Sequence, residues 1–310
     1  MMSPIDTFRQ LACSSAALAA LAWPAAAGAA TRTVDEHRPA DAAGQVEIQN
    51  VAGRVEVVGW DKPELAVSGT LGGDVERLDI ASAGSRTSVR VVRHESHGVS
   101  LGSQGGDEAR LVVHVPARSS LTATLVSADV SVTGVSGDQE LHTVSGDVTA
   151  SAQHEVRVNT VSGDVHLTAG PETHRIELSS VSGDLTVAGG GGDMTVTTVS
   201  GGGTLTVGAL SRAHFKTVSG DLSISADLAP DGRLEAESVS GDIRITFTGA
   251  MPPAVFDLQS FSGDLSTCSG RKAAHDSYGP GSRLSFQEGA GSARVRVDTK
   301  SGDVTLCSRK

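Results

Sequence analysis

Residues 156–187 read VRVNTVSGDVHLTAGPETHRIELSSVSGDLTV, and the tripeptide Ser-Gly-Asp occurs in this stretch twice, 20 residues apart. The same tripeptide occurs eight times in the 310-residue chain, nearly always after a valine and before a β-branched residue or leucine. Self-similarity at a fixed period is the signature of a repeat architecture. The copies begin at Ser136, Ser145, Ser162, Ser182, Ser219, Ser240, Ser262 and Ser301, and degenerate copies begin at Ser127 and Ser200.

The residues around each copy share one register. Apolar residues stand six and four positions before the serine and three and five positions after it, with polar residues between them. This period-2 alternation is typical of a strand with one buried face. Thr160 and the next inward residue, Val165, are an odd number of positions apart. In a straight strand they would therefore face opposite sides, and the apolar side chains after the corner would point outward. We therefore expect the chain to bend at Ser-Gly-Asp, where glycine supplies the backbone freedom.

Two short strands cannot bury their own inner faces, so the repeats must stack on one another. In such a stack each strand pairs in parallel with its equivalent in the next repeat, about 4.8 Å away. The sequence thus predicts an all-β fold, a parallel β-solenoid of coils of 18–22 residues with two short strands in each coil. The low aromatic content of 3% fits the narrow aliphatic core of such a coil.

The first residues have the features of a secretory signal. An alanine-rich apolar run from Leu11 to Trp23 is too short to span a bilayer, and Ala27-Gly28-Ala29 has the small-residue form of a signal-peptidase site. We expect an exported protein, periplasmic or at the cell surface. The predicted organisation is a signal peptide at 1–29, an N-terminal segment at 30–45, a less regular β region or cap at 46–120, and the Ser-Gly-Asp solenoid at 121–307.

Composition restricts the partners. The net charge of −11 argues against nucleic acid and anionic membranes as partners. No second apolar stretch follows the signal, so no transmembrane segment is expected in the mature chain. The remaining partner classes are an envelope polysaccharide or another envelope protein.

Cys268 and Cys307 are the two cysteines of the expected mature chain, and each stands six positions after the serine of its repeat. The 39 residues between the two repeats correspond either to two coils or to one coil with an inserted loop at 269–283. In the one-coil case the cysteines are neighbours and can form a disulfide. In the two-coil case they lie about 9.6 Å apart, twice the strand spacing, and remain free thiols.

The aspartates of the repeats are expected to line one edge of the stack. The favoured interpretation is that each carboxylate accepts hydrogen bonds from backbone N–H groups of its own corner. The alternative is a ladder of Ca²⁺ sites, because Ca²⁺ prefers several hard oxygen ligands. The candidates for that ladder are Asp147, Asp164, Asp184, Asp221, Asp242 and Asp264.

The repeated corner resembles a known family, as do the opening GQVEIQNVAGRVEVVGWD and the closing VRVDTKSGDVTL. Over roughly residues 44–307 the chain is similar to the bacterial putative-adhesin family of unknown function. That resemblance implies an exported or membrane-attached, repeat-rich protein and supplies no catalytic residues. Departures from the corner pattern are Ala128 for glycine, Gly202 for aspartate and Lys300 for valine.

The functional prediction is a non-enzymatic envelope protein without a cofactor, an adhesin or binding scaffold that presents an extended β surface. Arg157, His166 and Glu177 are predicted outward residues of one binding face. The alternatives are a structural component of an envelope stress response and an enzyme acting on polysaccharide. The enzyme would need an asymmetric cluster of charged groups, which the 271–283 loop could supply from Arg271, Lys272, His275, Asp276 and Tyr278.

Overall fold

The computed structural model describes residues 31–94, 109–271, 273–275 and 281–309. None of the described residues is helical, and the described chain forms one continuous sheet of mostly parallel strands. The prediction of an all-β, solenoid-like parallel fold is confirmed. The strands are β1 Arg32–Pro39, β2 Gln45–Trp60, β3 Glu64–Leu71, β4 Val75–Ala83, β5 Arg86–Arg93, β6 Arg110–Pro116, β7 Ser120–Thr133, β8 Gln139–Ser145, β9 Val148–Ala152, β10 Val156–Ser162, β11 Val165–Ala169, β12 Arg175–Ser182, β13 Leu185–Gly189, β14 Gly192–Ser200, β15 Gly203–Ser219, β16 Leu222–Ser240, β17 Ile243–Phe247, β18 Ala254–Ser260, β19 Leu265–Thr267, β20 Ala274–His275, β21 Ser282–Gln287, β22 Ala293–Ser301 and β23 Val304–Ser308.

Equivalent residues of successive repeats lie directly over one another. Thr160 of β10 pairs with Thr143 of β8 on one side and with Ser180 of β12 on the other. On the far side of the corner, β11 lies between β9 and β13 in the same parallel manner. We call each corner with its two flanking strand segments a layer, the segment before the corner its first arm, and the segment after the corner its second arm.

The corner is where the alternation of buried and exposed residues changes phase. In the layer of Ser162, Thr160 and Val165 are buried, whereas Val161 and Ser162 are exposed one after the other. Two consecutive exposed residues require the chain to bend, as the sequence predicts. The inward side chains of both arms join a single aliphatic core that runs the length of the stack.

The order of the layers departs from chain order at the C-terminal end of the stack. The layer of β22 and β23 lies between that of β16 and β17 and that of β18 and β19. The chain thus passes over one position, forms the outermost layer, and returns to fill the gap. As a result, the layers that carry Cys268 and Cys307 are adjacent.

The N-terminal end is inverted in the same way. Strand β2 lies between β7 on one side and β5 with β6 on the other, so the first strand of the parallel stack is not its outermost one.

Antiparallel strands cover the outermost layer at both ends. Strand β4 pairs with β5, and β3 pairs with β6 and with β1, all antiparallel. At the other end β21 pairs antiparallel with β18, and β20 with β21. Exposed parallel edges invite pairing between molecules, and these strands occupy the edges that β5, β6 and β18 would otherwise leave free. The predicted signal peptide at 1–29 lies outside the described residues.

Candidate functional site

The glycines of the corners form a column in which each repeat touches the next. Gly183 has a φ of 128°, in the region that favours glycine, and a Cβ added to it would lie 2.2 Å from the carbonyl oxygen of Gly163. Gly163 stands in the same relation to Gly146. The glycine therefore serves two needs, a left-handed backbone and the close approach of the neighbouring layer.

The aspartates beside these glycines form a hydrogen-bonded ladder between layers. The backbone N–H of Asp164 donates to Oδ1 of Asp147 at 3.0 Å, and the N–H of Asp184 donates to Oδ1 of Asp164 at 2.9 Å. The expectation that each carboxylate bonds N–H groups of its own corner is therefore wrong, because the donor belongs to the next layer. The same bond joins Asp147 N–H to Asp129, Gly202 N–H to Asp184, Asp242 N–H to Asp221, Asp303 N–H to Asp242 and Asp264 N–H to Asp303.

This arrangement bears on the candidate Ca²⁺ ladder. One oxygen of each linked carboxylate is already engaged by a backbone N–H group. Among the residues that the structure describes, no three His, Cys, Asp or Glu side chains are placed to hold a metal ion. The hydrogen bonds between layers are a sufficient reason for the repeated aspartates.

Gly202 interrupts the ladder, and restoring the carboxylate tests its strength. A Cβ at this position would have no neighbour closer than 3.4 Å, Oδ1 of Asp184. We expect Gly202→Asp to raise the free energy of unfolding by about 0.5–1 kcal/mol, from a new bond to the N–H of Asp221 and a less flexible unfolded chain, offset in part by repulsion from Asp184.

Urea unfolding followed by circular dichroism measures this gain, with Gly202→Ala as the control that lacks the acceptor. Because salt screens the repulsion, the advantage of aspartate over alanine should grow with ionic strength. If the aspartate variant is not more stable than the alanine variant at any salt concentration, the ladder contributes no stability.

A column of hydroxyls lies just inside the corner. Thr198 is 1% exposed, and its hydroxyl has no hydrogen-bond partner in the structure. The equivalent Ser238 donates instead to the carbonyl of Gly241 at 3.3 Å. The other hydroxyls of this column without a partner are those of Thr143, Thr160, Ser180, Thr217 and Thr299.

Thr198→Val should therefore stabilise the fold. The substitution keeps the side-chain shape and removes a buried hydroxyl that bonds nothing, which we expect to add about 1–2 kcal/mol to the free energy of unfolding. Ser238→Ala is the matched control, because it breaks a bond and should leave stability unchanged or lower it. Denaturant unfolding measures both, and a destabilised valine variant would mean that the hydroxyl column bonds buried water.

The first arms present a charged outer surface with a shallow groove of about 490 Å³. One column of this surface consists of residues that are in register from layer to layer. It begins with Arg175 and continues with Asp193, Arg212, Arg233 and Arg294. Three arginines thus occupy successive layers at one register, and we call Arg212, Arg233 and Arg294 the arginine row.

Ion pairs between layers hold part of this surface in place. Arg157 contacts Glu177 at 2.7 Å, and Nε of Arg212 donates to Asp193 at 3.2 Å. The hydrogen bond from Arg212 to Asp193 raises the pKa of the arginine above its ordinary value. Exposed pairs of this kind add little stability, so their effect is mainly to orient the charged groups.

Asp257 lies on the outermost first arm and has the only lowered carboxyl pKa among the described residues for which a shift is resolved. Burial raises the pKa of Asp257, but hydrogen bonds from Ser285 and Gln259 and the charge of Arg283 outweigh it. These partners include two residues of the covering strand β21, so the carboxylate ties that strand to the stack.

The predicted binding residues do not share one face. Arg157 and Glu177 lie on the first-arm surface, whereas His166 belongs to β11 on the second-arm surface. The arginine row was not among the predicted binding residues. The signal is present, since Arg175, Arg212, Arg233 and Arg294 all stand seven positions before the serine of their repeats.

Cys268 and Cys307 are joined by a disulfide with a Cα–Cα distance of 4.9 Å. In the predicted enzyme loop, Lys272, Asp276 and Tyr278 lie outside the described residues, as does the side chain of His275. Arg271 is held against the ring of Phe286 at 4.4 Å and pairs with Glu288 at 2.7 Å. Its guanidinium therefore has a structural role at the edge of the stack.

No helix in the described parts of the chain is long and apolar enough to cross a membrane.

Several solved structures are similar to this chain at low sequence identity. A putative cell adhesion protein from Clostridium sporogenes is 8% identical, with 90% of this chain and 100% of that chain covered and a TM-score of 0.23. A putative lipid binding protein from Parabacteroides distasonis and a putative adhesin from Bacteroides fragilis are each 10% identical, with 89% and 97% covered and TM-scores of 0.33. At these values the similarity says nothing about what this chain binds.

No curated protein matches the chain. A family model described as Toastrack DUF4097 matches residues 45–307, which begins at β2 and extends into β23. This range contains the parallel stack, the corner columns and the charged surface. The chain belongs to the Toastrack DUF4097 family.

Proposed function

We propose that this chain is an exported, non-enzymatic binding protein of the cell envelope, an adhesin-like scaffold whose charged first-arm surface binds an acidic envelope polysaccharide. The observation that carries the proposal is the arginine row, three arginines in register on neighbouring strands about 4.8 Å apart, which gathers positive charge locally although the net charge of the chain is −11. Arginine binds carboxylate and phosphate groups through paired hydrogen bonds. A linear polymer with repeated acidic groups matches a linear row of arginines.

The architecture supports a scaffold. We infer that the repeats are coils of 18–22 residues with two short strands each, which would give a rod that holds its outer side chains at fixed spacing. Family membership and the repeated corner point to the same extended design.

A binding role is favoured over catalysis by the groups on this surface. The charged side chains are largely engaged with one another, as in the pairs of Arg157 with Glu177 and of Arg212 with Asp193. Catalysis on a polysaccharide would require an acid and a base in different environments. Here the carboxylates recur in half-buried positions in successive layers, and Asp257, whose pKa is lowered, is engaged by Ser285, Gln259 and Arg283.

Export is supported by the predicted signal at 1–29 and by the disulfide between Cys268 and Cys307. Disulfides persist in oxidising compartments such as the periplasm and the cell surface.

The proposal is tested with the mature protein and purified acidic and neutral envelope polysaccharides. Replacing Arg212, Arg233 and Arg294 together by glutamine should weaken binding to an acidic polysaccharide at least about tenfold, because three charge-assisted contacts are lost. The matched control carries Arg90→Gln, Arg244→Gln and Arg309→Gln, the same change in net charge at exposed positions outside the row.

Equal binding by both triple variants would remove the arginine row from the proposal. Retention of no polysaccharide by the unaltered protein would overturn the proposed ligand class. The release of reducing ends during the incubation would instead establish the alternative, an enzyme that acts on polysaccharide.

A further inference from the structure

The corners carry a second surface that the charged first arms do not use. We call it the corner ridge: the exposed side chains that eight consecutive layers present at the bend, with a valine, a small residue and a charged residue or glycine in each layer. The valines are Val51, Val126, Val144, Val161, Val181, Val199, Val218 and Val239, each 38–49% exposed.

The fold accounts for only part of the repeated corner. It needs the glycine for the close contact between layers and one carboxylate oxygen for the ladder. It makes no hydrogen bond with the hydroxyls of the corner serines Ser162, Ser182 and Ser219 in the described chain, and it leaves about half of each valine uncovered. Side chains that are repeated at one position without an internal partner point to a use on the outside.

The stacking order makes the valine stripe continuous. Chain order alone would place β5 and β6 between the layers of Val51 and Val126, but β2 pairs directly with β7, so Val51 lies next to Val126. At the other end the layer of Lys300 follows that of Val239 and ends the stripe. The eight valines therefore form an unbroken stripe of seven layer steps, about 34 Å long. Continuous apolar stripes bordered by polar residues mark interaction sites on soluble proteins.

A row of negative charge borders this stripe. Asp147, Asp164 and Asp184 stand in consecutive layers, and Asp221 and Asp242 continue the row beyond Gly202. The ladder engages only Oδ1 of each, and the row contains no cation except Arg54 at its end, which pairs with Asp129. Closely spaced like charges create a local potential that attracts cations.

We propose that the corner ridge docks an amphipathic, basic α-helix of a partner protein. Its apolar side would lie along the valines, and its lysines or arginines would face the aspartates. A helix advances about 5.4 Å per turn, close to the layer step of about 4.8 Å, so about six turns accumulate a mismatch of about 3.6 Å, less than one layer. An extended strand advances about 6.8 Å for each side chain on one face and loses register after one or two contacts.

The probe is a fluorescent peptide of about 21 leucine and lysine residues, about 32 Å long as a helix, with leucines along one face. A scrambled peptide of the same composition is the reference. Binding to the mature protein is measured by fluorescence anisotropy at about 0.15 M and about 1 M salt, because the Debye length falls from about 8 to about 3 Å over this range.

Two ridge variants separate charge from apolar contact. The first carries Asp164→Asn, Asp184→Asn and Asp221→Asn, which keep an oxygen for the ladder and remove three charges. The second carries Val161→Thr, Val181→Thr and Val199→Thr, which keep the side-chain shape. The control carries Glu140→Gln, Glu177→Gln and Glu235→Gln, which remove three charges from the first-arm surface.

We expect both ridge variants to bind the helical peptide about tenfold more weakly than the unaltered protein does. The control should bind within about twofold of the unaltered protein. High salt should weaken binding except in the asparagine variant. Three outcomes overturn the proposal: no binding, equal binding of the scrambled peptide, or equal losses in the control and the asparagine variant. The protein could instead form a dimer that the Val→Thr changes disrupt but that the peptide does not disrupt. That outcome would assign the ridge to a second copy of this chain. The polysaccharide experiment uses another surface and another probe, so either proposal can fail alone.

Discussion

Gly183→Ala is expected to destabilise the stack by about 3–5 kcal/mol, through a left-handed backbone that alanine disfavours and an overlap with the carbonyl of Gly163. The backbone at Gly183 has little room to relax, because its N–H donates to the carbonyl of Ser200 in the next layer and the N–H of Asp184 donates to Asp164 in the layer before. In a repeat protein each layer contacts only its neighbours. The substitution should therefore divide the rod into two parts that unfold at different denaturant concentrations.

The measurement is urea unfolding followed by circular dichroism, together with hydrogen exchange of the layers on each side. Gly202→Ala in the adjacent layer is the matched control, since its Cβ would meet no atom within 3.4 Å and its φ lies outside the left-handed region. We expect the control to remain within about 0.5 kcal/mol of the unaltered protein or to be slightly more stable. Equal stability of the two alanine variants would show that the glycine column is not the contact between layers.

Removing the disulfide is expected to cost the C-terminal end of the stack about 4 kcal/mol, the loop-closure value for a separation of 39 residues. The bond joins the outermost layer of β18 and β19 to the inserted layer of β22 and β23, and therefore secures the inverted order of the two. Replacing both Cys268 and Cys307 by serine should let this end unfold first, while the layers near β10 and β12 keep their protection.

Hydrogen exchange resolved along the chain distinguishes this local loss from general destabilisation. Addition of dithiothreitol to the unaltered protein should reproduce the effect of the serine variant and should leave the variant itself unchanged. If reduction does not change exchange in β18 and β22, covalent closure is not what holds the inverted layers.

The sequence predicted the stacking for a local reason. A corner motif that recurs with the same flanking alternation indicates that equivalent residues, such as Thr143, Thr160 and Ser180, occupy equivalent places. Their pairing in parallel follows because each repeat has an apolar face that only another repeat can cover.

The acceptor role of the aspartates was predicted with the wrong donor. Hydrogen bonding within one corner is a local property and was assumed for Asp164, but the N–H group that reaches it belongs to Asp184 of the next layer. The distance between those groups is set by the stacking itself, so nothing within a single repeat indicates it. The arginine row was missed because its members are outward residues, whose identity the alternation leaves open.

The sequence by itself determined the strand alternation, the bend at each Ser-Gly-Asp and the parallel stacking of like upon like, because these depend on residues within one repeat and on its uncovered apolar face. Only the tertiary structure decided the inverted layers at both ends, the antiparallel strands that cover them and the continuity of the eight valines. Periodicity specifies what each layer contains, whereas the order of the layers depends on which free edge a returning segment can reach. Val239 consequently has Lys300 as its neighbour, and Cys268 meets Cys307 across one layer step.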